Sequence, residues 1–95
     1  MAAYLIANID VKDAAAYEEY KAKVPAFIRK HGGEYVVRGG NFVIAEGTWR
    51  PGRIVILRFA DMTAAQRFYN DPEYEPLKAL RQRVSEGDIV FVEGM

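Results

Sequence analysis

The chain has no cysteine, which removes a disulfide framework and any thiolate chemistry. It has a single histidine, and no group of carboxylates shows metal-ligand spacing, so no metal centre is expected. Neither charge is in excess, since thirteen basic and thirteen acidic residues cancel. A chain without net charge has no general field to draw it to nucleic acid or to an anionic membrane. No apolar run approaches the ~20 residues of a membrane span. The opening MAAYLIANIDVKD lacks the basic start of a secretory leader. These absences predict a cytoplasmic protein with no nucleic-acid partner, no membrane partner and no cofactor. Low-complexity segments and linkers are also missing. The 95 residues fit one domain, close to the common size of about 100 residues.

What is there divides into short periodic segments. Residues 3–9, AYLIANI, predict a strand. Asp13 is placed to cap a helix in which Tyr17, Tyr20, Val24, Phe27, Ile28 and His31 form one apolar stripe. Pro25 lies inside that pattern and predicts a kink or an early end. Gly32 and Gly33 stop the helix. Residues 34–38 read as a short strand. Residues 42–49, FVIAEGTW, read as a second extended piece that continues it past a glycine bulge or folds into a small hairpin. RIVILRF, 53–59, has the strongest strand character in the chain. Thr63 and Gln66 suggest a capping box for a helix carrying Ala64, Ala65, Phe68 and Tyr69. NDPEYEP, 70–76, interrupts that helix, and a second piece follows with Leu77, Leu80, Arg81 and Val84. DIVFVE, 88–93, is the last strand.

The order βαββαβ predicts an α+β, ferredoxin-like fold. Right-handed crossovers put the first and third major strands at the centre of a four-stranded antiparallel sheet, with the helices on one face. The other face should then be polar, with alternating strands. Instead IVIL, 54–57, and IVFV, 89–92, are unbroken apolar runs. A bare second face would exceed the apolar patch that monomers carry. The prediction is a two-fold homodimer packed sheet to sheet, a dimeric α+β barrel.

GGEYVVRGG, EGTWRPGR, DPEY and the Arg81 of LKALRQR together resemble a bacterial family over essentially the whole chain. It is the domain-of-unknown-function family numbered thirteen-thirty, of the dimeric α+β barrel superfamily. The resemblance implies a ferredoxin-like protomer packed against a partner and implies little chemistry. Relatives in the superfamily include cofactor-free monooxygenases, muconolactone-isomerase-like enzymes and stress-induced proteins that bind small molecules. Fold does not choose among these.

Several side chains are candidates for one cleft at a sheet end. Simple alternation puts Glu34, Val36 and Arg38 on one strand face. The glycines after Arg38 would clear space for it. Glu46, Trp49 and Arg53 follow in the next connection, and Tyr74 and Arg81 lie on the helical return. The expected ligand is a small anionic or carbonyl-bearing molecule, with Arg38 holding it in bidentate fashion and Trp49 and Tyr74 as walls. The plainer alternative pairs Glu46 with Arg38 or Arg53 in a structural salt bridge. His31 and Glu46 are the candidate bases, although a lone histidine at a helix end also serves as a cap. Asn8, on a central strand, either lines the cleft or satisfies a backbone group. Tyr17 and Tyr20 read as core residues. RGGNFVIA, 38–45, echoes an RNA-recognition signature but has Gly40 and Ala45 where aromatic residues belong. The reading is therefore a homodimer with a small-molecule site in each protomer, for which cofactor-independent proton transfer or oxygenation is the expected chemistry if it is an enzyme. Its alternatives are a non-catalytic binding module and a structural dimer.

Overall fold

Strand period and helix period alternate along the chain, and the computed structural model, which describes residues 1–95, resolves them into seven elements. They are β1 (Ala3–Val11), α1 (Ala14–Lys30), β2 (Glu34–Arg38), β3 (Arg53–Phe59), α2 (Met62–Tyr69), α3 (Glu75–Val84) and β4 (Ser85–Glu93). The sheet order is β2-β3-β1-β4, and every pairing is antiparallel. This is the ferredoxin-like arrangement, with β1 and β3 at the centre. Leu5 stands opposite Leu57 on one side and Phe91 on the other. That register sends Ala3, Leu5, Ala7 and Ile9 to the helices, where all four are buried. Against them pack Tyr17, Tyr20, Val24 and Ile28 of α1 and a stack of Phe59, Phe68 and Tyr74, the largest fully buried side chains. Burying each such side chain contributes about 1.5–3 kcal/mol before ordering entropy is subtracted.

The opposite sheet face carries Ile6, Ile54 and Ile56, all half-buried, and Val90 and Val92, which are 54% and 45% exposed. No helix is long and apolar enough to cross a membrane.

Local expectations are corrected at four places. Helix α1 does not end at Pro25 but runs through it to Lys30. Proline lacks the N–H that would bond the carbonyl four residues back, here that of Lys21. Arg38 supplies the substitute, its Nη2 donating to the Lys21 carbonyl at 3.2 Å. Helix α2 is capped by Asp61 rather than by Thr63, because the helix begins at Met62 and the Asp61 carboxylate accepts from Ala64 N at 2.8 Å. Strand β4 starts at Ser85, earlier than its apolar run, since pairing with β1 continues to Val11. The segment 42–49 forms no strand. Its neighbour β3 already pairs with β2 and β1, and Gly39 and Gly47 turn the chain at φ 66 and 93°.

Candidate functional site

Strand β2 decides where Arg38 points. Tyr35 stands opposite Leu57, yet Val37 stands opposite Ile56 and Arg38 opposite Val55, so one extra residue lies between. This bulge at Val36 overturns the simple alternation. Arg38 leaves the face of Glu34 and joins Tyr35 on the helix side. Its guanidinium carbon lies 4.5 Å from the centre of the Tyr35 ring, and the same group reaches α1 at Lys21. The glycine behind it serves a different arginine. A Cβ on Gly39 would fall onto the Arg53 guanidinium, and the positive φ of Gly39 is one that only glycine adopts without cost.

Between the inner sheet face and the helices lies a cavity whose eighteen lining residues include no aspartate, glutamate or histidine. Its space open to the centre of a water molecule is about 40 Å³. One water needs roughly 10–15 Å³ on that measure, so about three fit. The walls are Leu5, Ala7, Ile9, Val24, Phe68 and other apolar groups, and the cations facing in are Lys21, Arg38, Arg53 and Arg81. Lys21 is paired with Glu18 at 3.0 Å. The three arginines make no carboxylate pair at all.

Arg81 comes from α3, on the same stripe as Leu77, Leu80 and Val84. It is only 7% exposed, and its Nε and Nη2 have no hydrogen-bond partner; Arg53 Nε is buried and unpartnered too. Burial works against the Arg81 charge, but Tyr74 and Tyr20 beside it outweigh that and hold its pKa above the ordinary value; donors left without a hydrogen-bond partner are nonetheless uncommon in folded proteins. Three phenols surround these donors. Tyr20 and Tyr74 share a hydrogen bond at 2.7 Å. Burial pushes the Tyr17 hydroxyl up from its ordinary pKa, an effect that the Arg53 charge partly opposes. Burial, with Tyr74 beside it, pushes Tyr20 far above the usual phenol range.

Of the eight candidate residues, Arg38, Arg53, Tyr74 and Arg81 line this cavity between the inner sheet face and the helices. Asn8, His31, Glu46 and Trp49 do not. Asn8 is on the open sheet face, where its Oδ1 accepts from Gly52 N at 2.7 Å and holds the end of the 39–52 connection. His31 is the C-cap of α1, and its Nε2 lies 2.8 Å from Asp71 Oδ2. Lys30 meets the same oxygen at 2.8 Å. Those two partners and the Glu73 N–H hold the Asp71 carboxyl well below the usual carboxylate range. Glu46 and Trp49 are on the exposed connection, Trp49 at 61%. The cavity also takes in Tyr17, Tyr20 and Tyr35. Of these, Tyr17 and Tyr20 read from sequence as core, and their hydroxyls on an apolar stripe were the available signal.

The sequence model of the family described as Domain of unknown function (DUF1330) matches residues 2–95. The chain belongs to the DUF1330 family. Comparison with curated proteins gives no match. Among solved structures, this DUF1330 chain is similar to a protein of unknown function from Rhodopseudomonas palustris. The TM-score is 0.80 at 15% identity, covering 99% of this chain and 82% of that one. It is also similar to a dimeric ferredoxin-like protein of unknown function from Jannaschia sp. CCS1, with TM-score 0.72, 12% identity, and 99% and 100% of the two chains covered. A third is SnoaB, a cofactor-independent oxygenase from Streptomyces nogalater, with TM-score 0.67, 14% identity, and 99% and 93% covered. At these identities the likeness is one of fold.

Proposed function

We propose that this DUF1330 chain is a homodimeric small-molecule-binding protein whose interior cavity takes a small anionic or carbonyl-bearing ligand. The observation that carries the reading is Arg81, a buried guanidinium with two unpartnered nitrogens facing a cavity without a carboxylate. A ligand oxygen would accept those donors and offset the burial cost. Arg53 adds a second donor, and Arg38 stands nearer solvent, already committed to Lys21. The apolar open sheet face supports a second copy packed there, as does the fold likeness to a dimeric protein.

A second reading, cofactor-independent oxygenation or proton transfer, draws support from the fold shared with SnoaB. In it the arginine donors would stabilise a developing oxyanion. His31 and Glu46 lie outside the cavity lining, so neither contacts a ligand held there.

Native mass spectrometry of the freshly purified protein tests the binding reading, with Arg81→Met beside it. The expected result is a folded dimer in both cases, with retained or added ligand on the wild type only. An Arg81→Met protein that unfolds would instead mark the arginine as structural.

A further inference from the structure

We infer that the cavity takes its ligand already ionised, as the monoanion of a planar apolar acid, and that no group of this chain removes the ligand's proton. The inference rests on the anion-binding reading above and narrows it to a ligand class.

Every polar group that faces the cavity is a donor. Strands β1 and β4 present only apolar side chains there, among them Leu5, Ala7, Ile9 and Ile89. Helix α1 brings Tyr17, Tyr20 and Lys21; β2 brings Tyr35 and Arg38; β3 brings Arg53; α2 brings Tyr69; and the α3 region brings Tyr74 and Arg81. Guanidinium and ammonium groups have no acceptor. The phenols could accept a proton only as phenolates, and burial holds Tyr17, Tyr20 and Tyr35 in the protonated form. One of the two hydroxyl hydrogens of Tyr20 and Tyr74 is used in their mutual bond, and the other remains free to donate. The titratable groups that could act as a base near neutral pH are elsewhere. His31 is engaged with Asp71, and neither residue lines the cavity. A neutral acid entering this space could donate its O–H only to a phenol oxygen and would leave the arginine charges unanswered. Its anion would meet the unpartnered nitrogens of Arg53 and Arg81.

The body of the ligand follows from the walls. Tyr35, Phe68, Tyr69 and Tyr74 supply ring faces and edges, and the space available is that of about three waters. A single ring bearing one acidic group is larger than that space alone and would sit against these walls with part of its body in the cavity's open side, whereas an inorganic oxyanion leaves the apolar walls unfilled.

Two probes separate the ligand's ionisation from the protein's. Benzoate stays ionised between pH 5.5 and 8.5, on the order of one unit or more above its carboxyl pKa. 4-Nitrophenol ionises within that range, and its phenolate is coloured. Calorimetry should show benzoate affinity flat with pH, and 4-nitrophenol affinity falling about tenfold per unit below the probe's own pKa. Absorbance titration of the bound nitrophenol should show its pKa depressed on binding. Inorganic phosphate should bind more weakly than benzoate. Arg81→Met and Arg53→Met should each weaken both organic probes at least tenfold. A shared pH inflection for both probes, or nitrophenol bound as the neutral phenol, would overturn the preformed-anion inference while the arginine dependence left the binding reading standing. Phosphate outcompeting benzoate would overturn the planar-acid class. Absence of binding by both organic probes at millimolar concentration, or binding indifferent to both arginine substitutions, would overturn inference and binding reading together.

Discussion

Gly39 and Gly40 are neighbours with opposite demands. Gly39 has a φ of 66°, and a side chain there would strike the Arg53 guanidinium. Gly40 has no positive φ and open space where a Cβ would stand. Gly39→Ala is therefore expected to cost about 1 kcal/mol or more, whereas Gly40→Ala should be neutral or stabilising by about 0.4–1 kcal/mol. Chemical denaturation of the two variants checks the contrast, and equal effects would remove both the positive φ and the Arg53 contact as reasons for the glycine. Arg81 was visible in sequence as a charge on an otherwise apolar helical stripe. Its want of a partner was not visible, because the absence of a carboxylate around it is a property of six elements at once.

At the scale of elements, the end of α1 is tied to the α2–α3 connection through Asp71. Its side chain is 5% exposed and meets Lys30 and His31, while Oδ1 accepts from Glu73 N at 2.9 Å. The folded state lowers this carboxyl's pKa, so the unfolded chain binds the proton more readily. The stabilisation is fully present above the unfolded value, about 4, and is lost as pH falls through the lower folded value. Asp71→Asn should lower the melting temperature at pH 7, and the gap to wild type should close as pH drops below about 4. A pH-independent gap would mean that packing, not charge, holds this junction. The elements themselves were largely legible. The period of two along β1 and the spacing from Tyr17 to Ile28 each matched a buried face. Strand β2 was not legible, because Tyr35, Val36 and Val37 are apolar in succession and specify no register; the bulge and the side taken by Arg38 were hidden with it. FVIAEGTW misled for a related reason. Apolar residues suit a strand, but a strand also needs an edge to pair with.

For the whole molecule, the unbroken apolar runs of β3 and β4 were a sign of two apolar sheet faces, and only one is covered within the chain. Val90, 54% exposed on the open face, offers a test. On a monomer Val90→Lys would change stability by no more than about 0.5 kcal/mol. In a sheet-to-sheet dimer it buries a charge, and the variant should sediment as a monomer or lose much of its stability. Unchanged sedimentation and stability would place the interface elsewhere.

Pro25 and Arg38 also have a meaning beyond this one chain. The proline leaves a carbonyl without its donor, and an arginine from a different element answers it. Family members are therefore expected to vary the two positions together. Where evolution places an ordinary residue at position 25, the helix closes its own bond and the arginine at 38 loses one reason to be retained. Such a chain is free to spend position 38 on discrimination among ligands, so divergence in what these proteins bind should begin at a helix proline that touches no ligand.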